Sequence, residues 1–68
     1  MLVYLTEVVS TSNGDVLYSR LINTDFIVIA KKDDESNNRS RIFLHGRPYT
    51  IIVTETLDDI YSLSHEKH

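Results

Sequence analysis

The chain has 68 residues, a formal net charge of −3 at pH 7 and no cysteine. This length allows one small domain, and the absence of cysteine excludes disulfides, thiolate zinc sites and iron–sulfur clusters. The hydrophobic fraction of 41% and the charged fraction of 25% are typical of a folded domain, and the mild negative charge does not favour nucleic acid. Because so short a chain buries only about 60% of its unfolded surface, we expect a homo-oligomer to add stability.

The N-terminal segment MLVYLTEVVS has no basic region ahead of its apolar run and no small-residue cleavage site, so the sequence indicates no signal peptide. The longest run without a charged residue is far shorter than a membrane span requires. The absence of cysteine fits a reducing compartment. We therefore expect a cytoplasmic protein that does not enter a membrane.

The first predicted strand covers residues 2–9, which are rich in β-branched and aromatic side chains. Successive side chains of a strand alternate, so one face carries Leu2, Tyr4 and Val8 and the other carries Val3, Leu5 and Val9. Both faces are apolar. We expect this strand to lie between the core and a partner.

Asn13-Gly14 separates two apolar runs and predicts a tight hairpin turn, because both residue types tolerate a positive φ. The second strand is predicted over residues 15–22, and a short turn follows at 23–25. The third strand, Phe26 to Lys31, is nearly all apolar. This run predicts the central and most buried strand.

Residues 32–40, KDDESNNRS, are polar and show no periodicity, which predicts a mobile loop. A short fourth strand from Arg41 to Leu44 and a turn at 45–48 follow. The fifth strand, residues 49–54, places Ile51 and Val53 on the same face.

A C-terminal helix is predicted from about 56 to 67. Thr56 and Asp59 have capping-box spacing, and Leu57, Ile60 and Tyr61 form an apolar stripe. Ile60 is mid-stripe, so we expect it to be the central packing residue of the helix. A helix of this length is unstable alone and must dock on the sheet or on another subunit.

These elements predict one domain over residues 1–68, with a sheet over about 2–54 and a helix over about 56–67. The fold class is mainly β with one helix. We expect a small five-stranded, mostly antiparallel curved sheet, or an open SH3-like barrel, closed by the C-terminal helix.

Enzymatic motifs are not evident in the sequence. With two glycines there is no glycine-rich phosphate loop, and no nucleophile elbow is present. His65 and His68 supply fewer ligands than a zinc site needs. We therefore predict no enzymatic activity, no cofactor and no metal site.

The predicted function is a protein–protein interaction module. Its partner-binding residues are expected on the outer face of the first strand and on the helix: Leu2, Tyr4, Val8 and Tyr61. The alternative is RNA or single-stranded nucleic-acid binding through the hairpin from Arg39 to Arg47. That surface would use Arg39, Arg41, Arg47 and the stacking side chain of Phe43.

The stretch from Ser12 to Leu63 resembles the small flagellar FlbD/SwrD family. The likeness is carried by an Asn-Gly hairpin, an L-N-x-D-x-I-like segment, a glycine turn and a segment leading into a helix. These pieces are Ser12-Asn13-Gly14, Ile22–Ile27, Ile42–Tyr49, Ile51–Thr56 and Leu57–Ile60. The first hairpin is longer than in the family, and 32–40 is expanded. The resemblance implies the same fold and a flagellum-related, non-enzymatic accessory protein of a bacterium or a phage.

The two ends of the chain, MLVYLTEVV and VTETLDDIYSL, are also similar to the carbon-storage regulator CsrA, an RNA-binding dimer with five strands and a helix. In that family an arginine follows the first strand and another precedes the helix. This chain has Glu7 and Glu55 in those neighbourhoods.

Overall fold

A computed structural model describes residues 1–34 and 36–65. The strands are β1 (Leu2–Thr11), β2 (Gly14–Asn23), β3 (Ile27–Asp33), β4 (Ser36–Leu44) and β5 (Thr50–Val53), and helix α1 spans Leu57–Ser64. A 3₁₀ turn, Thr24–Phe26, joins β2 to β3. No helix in the described ranges is long and apolar enough to cross a membrane.

The strands form one open antiparallel sheet in the order β2-β1-β5-β4-β3. Strands that are neighbours in the sequence pair with each other, except for β2 and β3. Strand β1 pairs with β5 as well as with β2, and this leaves β2 and β3 at the two edges of the sheet. The sheet is curved, since Ile22 on β2 and Leu44 on β4 border the same groove although two strands separate them. The mainly β fold class with a C-terminal helix is confirmed.

The core lies on the inner face of this sheet, under helix α1. Ile60 is the buried residue of the helix and packs into the main core cluster, as predicted. The other buried members are Val3, Leu5, Ile22, Ile42, Ile51 and Val53. The predicted capping box is present: the amide of Asp59 donates to Thr56 Oγ1 over 3.2 Å, and the amide of Thr56 donates to Asp59 Oδ2 over 3.1 Å. The helix ends at Ser64, and residues 66 and 67 of the predicted helix lie outside the described ranges.

The β1–β2 hairpin turns one residue earlier than the sequence predicts. Thr11 pairs with Gly14, so the two-residue loop is Ser12-Asn13 and not Asn13-Gly14. Gly14 has a φ of 111°, a conformation that glycine adopts without steric cost. The Thr11 hydroxyl closes the turn by donating to the Gly14 carbonyl over 2.6 Å.

The prediction that the third strand is central and most buried is wrong. β3 is an edge strand that pairs with β4, and its Val28 and Ile29 side chains are exposed. A shift of register between Ile27 and Ile29 leaves Ile27 and Ala30 as the residues that pack against the core. An apolar run indicates that a strand packs against the core, but the order of the strands in the sheet decides whether both of its faces are covered.

The predicted mobile loop at 32–40 is also wrong, because β3 continues to Asp33 and β4 begins at Ser36. Polar contacts stabilise these strand residues. Asp33 is buried and pairs with Arg41 over 3.2 Å, and the buried Ser40 hydroxyl donates to the Glu55 carbonyl over 2.8 Å. Apolar periodicity gives no signal for a strand whose side chains are held by ion pairs and hydrogen bonds.

Candidate interaction surface

An apolar surface lies on the outer face of β1 and β2, opposite the core. Val3, Leu5 and Ile22 point into the core cluster, so the alternate residues of the same strands point outward. The outward residues with large exposed side chains are Leu2 (61%), Tyr4 (69%), Leu17 (58%) and Leu21 (52%). Tyr4 and Leu21 are direct cross-strand partners. We call these four residues the outer patch.

The four partner-binding residues predicted from the sequence differ in their position and exposure. Leu2 and Tyr4 belong to the outer patch. Val8 is on the same face but is only 8% exposed; it lies between its cross-strand partners Leu17 and Ile52. Its side chain therefore supports the patch and presents little area to a partner.

Tyr61 is exposed but lies on another side of the molecule. It stacks on the ring of His65, with 4.1 Å between ring centroids. It also borders an apolar groove of about 260 Å³ with Ile27 and Ala30 of β3. Since Ile27 and Ala30 pack against the core cluster, this groove belongs to the core side of the sheet. The predicted single surface of Leu2, Tyr4, Val8 and Tyr61 is thus divided between the two sides.

Leu17 and Leu21 are patch residues that sequence reasoning missed. The segment DVLYSRLI has apolar residues on both faces, so the strand pattern alone does not show which face is outward. The register of the hairpin supplies that information, because it places Leu21 opposite Tyr4 and Leu17 opposite Val8. A correct position for the two-residue turn would have given the same pairs.

The arginines of the nucleic-acid alternative are not gathered into one free basic surface. Arg39 pairs with Asp15 over 3.1 Å, and Arg41 pairs with the buried carboxylate of Asp33 over 3.2 Å. Arg47 donates to the Tyr49 hydroxyl over 2.7 Å and lines a groove of about 220 Å³ whose walls include core-facing residues. Phe43 shares a face of β4 with Arg39 and Arg41 by alternation, and it is half-buried.

The Arg39 contact links the β1–β2 hairpin to β4 and changes the titration of Asp15. The Ser10 hydroxyl donates to Asp15 over 3.0 Å, and Arg39 binds the other carboxylate oxygen. The Ser10 hydrogen bond first, and the Arg39 hydrogen bond and charge second, hold the pKa of Asp15 below its usual value. Asp15 is therefore negatively charged at neutral pH and offsets the charge of Arg39.

Glu55 holds the joint between β5 and the helix. β5 ends at Val53, and the Thr54 amide then donates to the Thr6 carbonyl of β1 over 2.9 Å. The Thr6 amide donates to Glu55 Oε1 over 2.8 Å, and the Thr6 hydroxyl donates to Oε2 over 3.1 Å. The carboxylate thus takes the place of a strand carbonyl at the end of the ladder. This glutamate, which occupies a neighbourhood where the CsrA family has an arginine, serves a structural role here.

No group of three or more His, Cys, Asp or Glu side chains is positioned to hold a metal ion in the ranges 1–34 and 36–65. The chain matches no protein-family model, no curated protein and no solved structure. The resemblances to the FlbD/SwrD family and to CsrA therefore remain predictions from the sequence.

Proposed function

We propose that this protein is a small non-enzymatic accessory protein of the cytoplasm that binds another protein through the outer patch. The observation that carries the proposal is that four large apolar side chains, each more than half exposed, lie together on two neighbouring strands. Contiguous exposed apolar surface is typical of interaction sites. The tyrosine among them suits an interface, because its ring is apolar and its hydroxyl can form a hydrogen bond.

The ion pairs of the arginines favour a protein partner over nucleic acid. Binding to phosphate gains affinity from free cationic side chains that replace counterions. Arg39 and Arg41 already have carboxylate partners, and the Arg41 partner is buried. A phosphate would have to compete with those carboxylates for the same guanidinium groups.

The resemblance to the FlbD/SwrD family adds a flagellum-related role to the proposal. The residues that carry the resemblance include the turn at Gly14 and the helix cap at Thr56, which shape the fold that presents the outer patch. The flagellar part of the proposal is supported by this resemblance alone.

The test is a pull-down that compares three tagged proteins in a bacterial lysate, each with and without nuclease treatment. They are the wild type, Tyr4→Lys in the outer patch, and Ser62→Lys on the exposed surface of the helix as the matched control. We expect the wild type and Ser62→Lys to retain the same specific protein and Tyr4→Lys to lose it, because a charge in a desolvated apolar contact is costly. All three should show the same circular dichroism spectrum.

Two results would count against the proposal. If Tyr4→Lys retains the partner as well as the control does, binding does not use the outer patch. If every bound protein leaves on nuclease treatment and the bait carries RNA or DNA, the protein is a nucleic-acid binder.

A further inference from the structure

Strand β2 offers a long free edge. It pairs with β1 through ten consecutive residue pairs, from Leu2–Asn23 to Thr11–Gly14, without a shift of register. Every residue from 14 to 21 is exposed. The strand has no proline and no lysine, and its two charged residues already have partners, Asp15 with Arg39 and Arg20 with Glu7. Its outer backbone donors and acceptors therefore face solvent along a regular strand.

The other edge of the sheet is protected and β2 is not. Shifts of register interrupt β3 between Ile27 and Ile29 and between Lys32 and Asp33. Lys31 and Lys32 are exposed on that strand. Bulges and lysines are the usual means by which a protein prevents its edge strands from pairing with other chains. Their presence on one edge and absence from the other singles out β2 as an edge that is available for pairing.

From this contrast we infer that two copies of the chain pair through their β2 strands, antiparallel, about a two-fold axis that passes through Ser19. The two five-stranded sheets then join into one continuous sheet. This inference rests on the proposed function in treating the protein as an interaction module, but it names a second copy as the partner and uses the edge of β2, which shares only Leu17 and Leu21 with the outer patch.

The position of the axis follows from the faces of the strand. Residues that lie opposite each other in an antiparallel pair share a face, so an axis normal to the sheet must pass through a residue of β2. An axis at Ser19 places Leu17 opposite Leu21 and Val16 opposite Ile22, each twice. It also places Tyr18 opposite Arg20, and in the single chain the Arg20 guanidinium already lies 5.7 Å from the centroid of the Tyr18 ring.

Other axes give poorer pairs. An axis at Arg20 places two arginines opposite each other, which is repulsive. An axis at Tyr18 places Leu17 opposite Ser19 and Leu21 opposite Asp15. An axis at Leu17 places Leu21 opposite Asn13, which lies in the hairpin turn. Only the axis at Ser19 places Val16, Leu17, Leu21 and Ile22 all opposite apolar residues.

Pairing at Ser19 also joins the outer patches of the two copies. Leu21 of one copy would lie beside Tyr4 of its own chain and opposite Leu17 of the partner. The apolar residues of the combined surface are interrupted at the axis by a polar row, which consists of Ser19 and its cross-strand partner Thr6 from each copy. A dimer of this form therefore presents a larger apolar surface to a third protein than one chain does.

The first test uses single-cysteine variants. Because the natural chain has no cysteine, any disulfide that forms must join the introduced residues. Directly opposed residues of antiparallel strands have Cα atoms about 4.5–5.5 Å apart, within the range of a disulfide. We expect Ser19→Cys to form an intermolecular disulfide at least about tenfold faster than Ser62→Cys on the helix, because pairing raises the local thiol concentration. Mixed Leu17→Cys and Leu21→Cys proteins should cross-link to each other, and neither alone.

The second test is the mass in solution, measured by light scattering and sedimentation over a range of concentrations. We expect the wild type and Leu2→Lys to be dimers and Leu17→Lys to be a monomer with an unchanged circular dichroism spectrum, since an edge lysine opposes pairing. Leu2→Lys is the matched control, because it also changes the outer patch but does not lie on β2.

Two results would overturn the inference. One is a wild type that stays monomeric at its highest soluble concentration, with Ser19→Cys cross-linking no faster than Ser62→Cys. The other is a Leu17→Lys protein that remains a dimer. Neither affects the proposed function, whose readout is loss of a lysate partner by Tyr4→Lys.

Discussion

The carboxylate of Glu55 provides a sharp test of how the strand-to-helix joint is held. Glu55→Ala removes the acceptors of the Thr6 amide and the Thr6 hydroxyl, which are 2.8 and 3.1 Å away. Leaving a buried donor without a partner costs about 1–3 kcal/mol. Because the site is only partly buried, water replaces part of the loss, so we expect about 1.5–2 kcal/mol. The whole chain has about 3–10 kcal/mol of stability at the usual value per residue.

Glu55→Gln is the matched control, because the amide keeps a carbonyl oxygen for the Thr6 backbone and offers an NH₂ group to the Thr6 hydroxyl. We expect it to cost about 0.5–1 kcal/mol, the loss of a charge from a retained hydrogen bond. The assay is urea unfolding followed by circular dichroism at one protein concentration. With a slope of about 1 kcal/mol/M for so small a protein, Glu55→Ala should lower the midpoint by about 1.5–2 M.

A free energy of unfolding for Glu55→Ala within about 0.5 kcal/mol of the wild-type value, the spread expected for surface changes, would contradict this role of Glu55. So would a Glu55→Gln protein that is destabilised as much as Glu55→Ala. In the second case the charge, and not the completed ladder, would be the stabilising feature. Equal masses in solution for the three proteins are needed for the comparison, because dimer formation raises apparent stability.

Two further predictions address the helix and the hairpin. Ile60→Ala removes the buried residue of the helix and should lower the free energy of unfolding by about 2–3 kcal/mol, toward the low end for core truncations. Tyr61→Ala on the exposed side should change it by less than about 0.5 kcal/mol in the same urea assay. Equal effects of the two substitutions would contradict the docking of the helix. Asp15→Asn should lower the melting temperature at neutral pH. Because the folded state lowers the pKa of Asp15, its stabilising effect is present above the unfolded-state pKa and is lost as the pH falls through the folded-state pKa. Melting curves of the two proteins should therefore converge in acid, and a gap that does not change with pH would contradict the Ser10 and Arg39 contacts.

The parts of the fold that could be predicted from the sequence depend on local signals. The Thr56 and Asp59 cap, the inward position of Ile60 and the shared face of Ile51 and Val53 all follow from residue spacing within one element. A hairpin near Gly14 follows from turn chemistry, and only its loop was displaced by one residue. Such signals need no knowledge of where other strands lie.

The parts that could not be predicted depend on contacts between residues far apart in the chain. The order of strands put β3 at an edge, which its apolar sequence does not reveal. The strand that begins at Ser36 is held by Asp33–Arg41, Arg39–Asp15 and the Ser40 bond to Glu55. Likewise, two residues of the outer patch became identifiable only when the register of β1 and β2 was known.

The distribution of apolar side chains supports the proposed pairing of two copies through β2. Among the residues that the structure describes, eight hydrophobic side chains are buried and eleven large ones are exposed. A core of that size leaves a short chain with little margin against the entropy of folding. Four of the eleven exposed residues, Val16, Leu17, Tyr18 and Leu21, lie on β2. Polar contacts of Ser40, Asp33 and Glu55 stabilise strands β4 and β1, and part of the remaining exposed apolar surface lies on β2, the strand whose edge is unprotected. Covering that strand with a second copy would bury the apolar area that the core alone does not supply.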